Sequence, residues 1–466
     1  MKRFNATTPL YQHQIDACNK LYRFKVGALF MEMGTGKTRT ALELIKRKQS
    51  HVDKVVYFCP VSLKYTVQSE IIKHTDLSAS DVYLFDSKTT MKTMSEKKAF
   101  YVIGFESMSS SKRMKLCAYN LITENTMVIL DESTYIKTHN SKRTTFITFA
   151  AEKAKYRLVL TGTPLTQGVI DLFAQMKFLS PKILGYRSFY SFAANHLEYS
   201  EKFRGMIIGA HNTGLLASKI NPFVYQVTKK ECLDLPAKVY ESYSYSMTLE
   251  QRGLYEQIKE EMLLKISEEE YEDYFPSHLI FQLYTELQKC LSGLFCKHDR
   301  TELLKGIVAD IAADKKVIVW AKYIHDIDEI TNALGKENCA EYTGRLSEKE
   351  RRLQVQEFKG KKRFFIATPS SGGHGLTLNE ASFVIFYNNT FKYSERIQAE
   401  DRCHRIGQEE KVTYVDICCR GSLDEKILSA LRDKKSVVEA FKEKIDKIKK
   451  DKKISKEKLK ELIKGL

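Results

Sequence analysis

The stretch ALFMEMGTGKTRTAL (28–42) decides how the rest of the chain is read. An apolar run gives way to two closely spaced glycines, Gly34 and Gly36, with Thr35 between them, and a helix-forming segment begins at Lys37. Strand, tight turn and helix in that order aim consecutive backbone N–H groups and the positive end of a helix at one point, which suits a phosphate. Lys37 can reach the β- and γ-phosphates of a nucleotide, and the Thr38 hydroxyl can serve Mg2+. Met31 stands where the strict eight-residue pattern has glycine, and the shorter core of that pattern also occurs as a plain glycine turn.

Working outward, short apolar runs recur with helical patterns between them. They are VGALF (26–30), KVVYFC (54–59), AFYVIG (99–104), TMVILD (126–131) and YRLVLT (156–161), then KVIVWA (316–321), RFFIAT (363–368), SFVIFY (382–387) and VTYVDI (412–417). Each is continuously apolar, as a strand covered on both faces must be, so the sheets are expected to be parallel with helices on both sides. The alternation occurs twice, separated by about 130 residues of helical, aromatic-rich sequence. The fold class is therefore α/β with two lobes in tandem and helical insertions between them. LDLPAKV (233–239) reads as a linker, and the stretch from Leu423 reads as one or two amphipathic helices, with Ile445, Ile448, Ile454, Leu459 and Leu462 at near-helical spacing.

Composition narrows the function classes. No apolar run of the 466-residue chain approaches the roughly 20 residues that cross a bilayer. The N-terminus lacks the apolar core of a secretory signal, and the ten cysteines include no CxxC pair, so reduced thiols in a cytoplasmic chain are expected. Cys290, Cys296 and His298 are read as helix core rather than a zinc site. Seventy-five Lys and Arg against 58 Asp and Glu give +17, which points to a polyanionic partner. The tail from Lys442 to Leu466 holds eleven lysines against five acids. It reads either as an extra clamp on nucleic acid or, preferably, as a brace helix with a solvated lysine face.

Two further motifs carry chemistry. VILDES (128–133) ends a buried strand in adjacent carboxylates, about 95 residues after GTGKT. Strand C-termini in open parallel sheets are where ligands bind; Asp131 would hold the metal, and Glu132 would orient and deprotonate a water. RIQAEDRCHRIGQ (396–408) is polar yet lies between two buried strands. Gln398, Arg402 and Arg405 are at i, i+4 and i+7, so one continuous helix would stack them on a single face. Either arginine could neutralise a departing γ-phosphate.

Taken together these residues resemble the superfamily-two helicase-type motors, specifically the Swi/Snf group of double-stranded DNA translocases. LYQHQ (10–14) resembles the adenine-reading Q motif with Gln14 as its glutamine, and EMGTGKT (32–38) resembles motif I. CPVSLKYTVQSEI (59–71) resembles motif Ia, VIGFESM (102–108) motif Ib, and LDESTYIKTHNSKR (130–143) motif II. LVLTGTPLTQGVIDLFAQMKFLSP (158–181) is similar to motif III, SGGHGLTLNEA (371–381) to motif V, and QAEDRCHRIGQ (398–408) to motif VI. Ser133 and Thr134 stand where the family often has Ala-His, no Trp occurs near Val67, and Tyr225 and Gln226 replace an arginine pair.

The resemblance implies two RecA-like parallel-sheet lobes with a C-terminal helical brace. Lobe 1 would span 1–235, with a helical protrusion at about 166–222. Lobe 2 would span 236–466, with a protrusion at about 245–300 and a basic helix at about 423–466. It implies ATP and Mg2+ as cofactors, with Gln14, Gly34, Thr35, Gly36, Lys37, Thr38 and Gln398 on the nucleotide. Thr38 and Asp131 would serve the metal, and Glu132, Arg402 and Arg405 would act in catalysis. Lys64, Lys137, Lys142, Arg143, Arg345, Arg351, Arg352 and Lys392, read as lying in or near loops, would contact duplex DNA phosphates without sequence preference. Thr161, Thr163, Gly373 and Gly375 would couple hydrolysis to movement. The expected activity is an ATP-dependent translocase on duplex DNA, acting as a monomer on protein–DNA complexes or branched DNA. Strand-separating helicase and idle DNA-binding scaffold are the competing readings.

Overall fold

The computed structural model describes residues 2–94, 97–165, 168–199, 207–268, 277–372, 376–433, 460–461 and 463–466. It forms two compact units, Met1–Asp234 and Leu235–Leu466, which divide inside the 233–239 segment.

The first unit is built on nine strands: β1 (Val26–Met31), β2 (Lys54–Cys59), β3 (Val82–Leu84), β4 (Phe100–Gly104), β5 (Thr126–Asp131), β6 (Tyr156–Thr161), β7 (Leu197–Tyr199), β8 (Ile207–Ala210) and β9 (Val224–Val227). Seven of them make one sheet in the order β3-β4-β2-β5-β6-β1-β9, parallel throughout. Alternate residues of the apolar runs face opposite ways, as the pleat requires. Ala28, Phe30, Val56, Phe58, Val128 and Leu130 enter one core, while Leu29, Met31, Val55, Tyr57, Met127 and Ile129 enter the other.

The second unit repeats the plan with β10 (Lys238–Tyr245), β11 (Lys316–Trp320), β12 (Cys339–Tyr342), β13 (Phe364–Ala367), β14 (Ala381–Phe386) and β15 (Val412–Cys419). Their order is β10-β15-β14-β11-β13-β12, again all parallel. Val317, Val319, Ile385 and Val415 face one core, and Ile318, Trp320, Phe365 and Val384 face the other. The expected two-lobed α/β architecture is therefore what the chain adopts.

Two expectations change. The 166–222 region was read as helical, yet β7 and β8 form an antiparallel hairpin there beside the helices. The strands missed by sequence in the two large sheets are β3, β9, β10 and β12, and all four are sheet edges. An edge strand is short or keeps a polar face, so it lacks a long apolar run; β10, KVYESYSY, is mostly exposed along its length. Between 245 and 300 the described residues include the helices Leu249–Glu268 and Ser277–Leu291. The helix Leu423–Arg432 packs on the second unit's core together with Ile463 and Leu466, and the Leu466 carbonyl accepts from Tyr255 Oη at 3.0 Å. Ile445, Ile448, Ile454, Leu459 and Leu462 lie outside the described residues.

The second unit also contains a fully buried cation. Arg300 donates to Tyr245 Oη at 3.0 Å and to the Tyr387 carbonyl at 2.9 Å, and its remaining nitrogen is paired with Asp424. Removing one partner of a buried pair strands the other charge, at a cost of ~3–5 kcal/mol. Asp424→Ala should therefore lower the stability of the second unit by about that amount in urea denaturation. The chain's single tryptophan, the buried Trp320, reports on this unit by fluorescence.

Candidate functional site

In the first unit β5, β6 and β1 are neighbours and run the same way, so their C-terminal ends emerge at one edge. Phe30 is paired with Thr161 and Asp131 with Leu160. The glycine loop, the acidic pair and the Thr161–Pro164 segment are brought together by register alone.

The loop after β1 is held from two sides. The Thr35 amide and hydroxyl both bond the Glu32 carbonyl, at 3.3 and 2.7 Å. Gly34 and Gly36 have φ of 81° and 84°, a region that side chains other than glycine's rarely occupy. A Cβ on Gly36 would lie 2.2 Å from Gln14 Nε2. Gln14 is buried, and its amide donates to the Thr35 carbonyl at 3.1 Å while its Oε1 accepts from the Tyr11 amide at 3.0 Å. The residue expected to read adenine thus fastens the loop to the helix before it. His13, which the sequence did not single out, reaches the same Thr35 carbonyl at 2.8 Å. Lys37 opens the helix Lys37–Lys48, and its Nζ donates to the Met31 carbonyl at 3.1 Å.

Asp131 is buried at the end of β5. One of its oxygens accepts from Tyr57 Oη at 2.9 Å and the other from the Glu132 amide at 3.0 Å. The two expected metal ligands, Thr38 and Asp131, are both hard oxygen donors of the kind Mg2+ takes. The donor set fits that ion. Tyr57 escaped the sequence reading because it sits inside an apolar strand; its signal is a hydroxyl in the half of β2 nearer the strand's C-terminal end. Glu132 has φ 53° and ψ 56°, a left-handed conformation that costs a non-glycine residue ~1–3 kcal/mol and marks sites where geometry outranks comfort.

Ser133 and Gln175 were likewise not assigned roles by sequence. Both are fully buried. Ser133 Oγ donates to Gln175 Oε1 at 2.6 Å, and Gln175 Nε2 donates to the carbonyls of Pro164 at 2.9 Å and Asp171 at 3.0 Å. Of the expected coupling residues, Thr161 is buried and its hydroxyl accepts from the Thr163 amide at 3.1 Å. Gly373 and Gly375 lie outside the described residues.

In the second unit the expected single helix face does not form. The helix carrying Gln398 spans Tyr393–Glu400, and Arg402 and Arg405 follow in turns. Gln408 holds the turned segment by donating to the carbonyls of Asn379 at 3.2 Å, Ala381 at 3.0 Å and Cys403 at 3.3 Å. Gly407 takes φ 93°. The two guanidiniums nevertheless converge: Arg402 and Arg405 both bond the Leu376 carbonyl, at 3.4 and 3.1 Å, and Arg402 Nε bonds the Gln398 carbonyl at 2.8 Å.

The expected DNA contacts divide. Lys64 is a correction: it is buried at the start of the helix Lys64–His74, and its Nζ donates to the Phe85 carbonyl at 2.7 Å, so it serves packing rather than an exposed track. Arg345 is bonded by Asp328 at 2.6 Å and by Glu341 at 2.7 Å, and Lys392 pairs with Glu395 at 2.8 Å. Arg351 and Arg352 lie on the helix Glu348–Lys359 rather than in a loop, and Arg351 sits over the Tyr342 ring at 5.6 Å. Lys142 is exposed, and Lys137 and Arg143 are half-buried, with Arg143 5.6 Å from the centre of the Tyr135 ring. Among the described residues no cluster of His, Cys, Asp and Glu could hold a metal ion by itself.

Comparison with known proteins adds the following. The family model described as SNF2-related domain matches residues 13–295, and that of the helicase conserved C-terminal domain matches 299–407. An uncharacterized ATP-dependent helicase of Mycoplasma pneumoniae is 26% identical over 430 residues, covering 88% of this chain and 40% of its own length. The human DNA annealing helicase and endonuclease ZRANB3 is 28% identical over 424 residues, covering 87% of this chain and 38% of its own length. The putative ATP-dependent helicase/translocase YwqA of Bacillus subtilis is 28% identical over 343 residues, covering 68% and 35% respectively. The chain thus spans 40% or less of these relatives. Among solved structures, the Sulfolobus solfataricus SWI2/SNF2 ATPase core in complex with dsDNA aligns over 93% of this chain and 92% of its own, at 22% identity and a TM-score of 0.44.

The buried carboxylate sets a stability test. Burial, then the neighbouring Glu132 charge, push Asp131 up to about 6. A carboxyl raised above its unfolded value destabilises the fold when ionised, and the penalty fades as pH falls through the folded value. Without metal at pH 8, Asp131→Asn should raise the melting temperature of the first unit, by the equivalent of ~1–3 kcal/mol. The gain should shrink toward zero as the pH approaches 4, and differential scanning calorimetry across that range measures it.

Proposed function

The chain belongs to the SNF2-related family of helicase-type ATPases, and from that premise we propose that it is an ATP-driven translocase on double-stranded DNA. Its action would be to remodel protein–DNA complexes or branched DNA without fully separating the strands. The observation that carries this reading is the meeting of Lys37, Thr38, Asp131 and Glu132 at one edge of one sheet.

The roles follow from the chemistry of each group. Lys37 exchanges the Met31 carbonyl for the β- and γ-phosphates of ATP, while the loop amides and the N-terminal end of its helix face the same anion. Thr38 and Asp131 hold Mg2+, which when bound neutralises charge on those phosphates. Glu132 orients the attacking water and takes its proton. Arg402 and Arg405, already converged on one carbonyl, are assigned to the negative charge that develops on the γ-phosphate, with Gln398 beside them. Duplex DNA as the track is supported by the net charge of +17 and by relatives named as DNA helicases and translocases. Lys137, Lys142, Arg143, Arg351, Arg352 and Lys392 are the proposed phosphate contacts, with Arg345 joining them if its exposed ion pairs exchange, which costs little.

Phosphate release should be stimulated by duplex DNA, and a triplex-forming strand should be displaced while a plain fork stays paired. Unwinding of the fork without triplex displacement would instead identify a strand-separating helicase. Lys37→Ala and Glu132→Gln should abolish turnover. Arg405→Ala should lower kcat by about 10³-fold or more, with ADP affinity little changed. Full turnover in Arg405→Ala would remove the arginines from the site.

A further inference from the structure

We propose that Ser133 and Gln175 are positioning residues of the hydrolysis site, setting the backbone of Glu132 and tying it to the Thr161–Pro164 segment. The proposal deepens the reading above and rests on its assignment of Glu132.

The geometry is specific. Gln175 lies on the helix Ile170–Leu179 and uses its whole amide head: the oxygen accepts from Ser133, and the nitrogen serves two carbonyls. The carbonyls of Pro164 and Asp171 fix which end is nitrogen, because an amide oxygen facing them would be repelled. Only the oxygen is left for residue 133, so the amide selects a donor there, and serine supplies one. The bond anchors the Ser133 side chain, and through it restrains the peptide that joins Ser133 to Glu132. That peptide carries the ψ of Glu132, whose left-handed φ and ψ need outside support.

The other end of the relay reaches the phosphate loop. Pro164 closes the segment that follows β6, and a Cβ on Gly162 in that segment would stand 3.0 Å from the Met33 amide and 3.4 Å from the Met31 carbonyl. The Met31 carbonyl is the one that holds Lys37. A continuous path of packed and hydrogen-bonded groups therefore runs from the proposed water-activating carboxylate to the proposed phosphate-binding ammonium, through Ser133, Gln175, Pro164 and Gly162.

The pairing permits a decisive test. Ser133→Ala or Gln175→Leu alone leaves a buried polar partner unsatisfied and should lower both stability and turnover. The double variant Ser133→Ala with Gln175→Leu removes both ends of the side-chain bond, and Pro164, whose carbonyl loses its donor, is a half-buried rather than a core residue. Its melting temperature should recover most of the loss seen in the single variants. Its kcat should stay about tenfold or more below wild type, with the Kd for a fluorescent ADP analogue within about twofold of wild type. If kcat recovers together with stability, Ser133 and Gln175 are packing partners only and the proposal fails. If kcat stays low and ADP affinity falls in proportion, the pair acts on the loop and not on Glu132, and the proposal fails as well. Absence of hydrolysis in the wild-type chain would instead overturn the assignment of function, so the two failures are told apart.

Discussion

Everything in the first unit depends on β5, β6 and β1 running side by side in the same direction. A sheet covered on both faces offers no polar surface along its length, so chemistry is confined to the strand ends. Parallel pairing places all the C-terminal ends together, and register decides which residues meet. The strands are apolar through their centres, and at or just past their C-terminal ends the chain turns to carboxylates, hydroxyls and glycines. The site costs stability for the same reason that it works. Asp131 is carried into the edge of the core by the strand that delivers it, so its ionised form is disfavoured until a cation arrives. Tyr57, from the neighbouring strand β2, satisfies one carboxylate oxygen meanwhile.

The second unit uses the same sheet plan to a different end. Its buried charges are satisfied internally: Arg300 by Asp424 and two tyrosines, and Arg396 by Asp416 and by Glu400 at 2.9 Å. Such networks fix how the helices seat on the sheet, because each donor is matched to one acceptor and slippage strands a charge. Lys322, at the C-terminal end of β11, follows the same logic: burial pulls it down to about 7 while Gln288 Oε1 accepts from it at 2.6 Å. Arg300 and Arg396 are thus committed to carboxylates inside the unit, whereas the contacts of Arg402 and Arg405 include a shared backbone carbonyl.

How much was legible follows from what each signal measures. Continuous apolarity reports two-sided burial, so the central strands and the two-lobed plan could be read directly, while the edges β3, β9, β10 and β12 could not. The glycine loop and the acidic pair were legible because their spacing is local. The relay of Ser133 to Gln175 was not, because its members lie 42 positions apart and each looks ordinary alone. Lys64 was misread because lysine is usually solvated; only the fold reveals that it is buried with its ammonium on the Phe85 carbonyl. The helix face of Gln398, Arg402 and Arg405 failed for a related reason. Helical spacing assumes that the helix continues, and here Gln408 draws the chain into turns with three carbonyl bonds.

That last case bears on what a motif encodes. In HRIGQ (404–408), His404 bonds the Pro236 carbonyl at 2.9 Å, Gly407 supplies a left-handed turn, and Gln408 closes it. Of these five residues only Arg405 is assigned to chemistry on a phosphate, and the structure gives His404, Gly407 and Gln408 construction roles around it. The Leu376 carbonyl accepts from both arginines and so draws their guanidiniums to one point. The turned segment thus brings both guanidiniums to one carbonyl without a continuous helix. The recurring letters are the scaffold of that presentation, and this is why the motif is specific although its reactive content is so small.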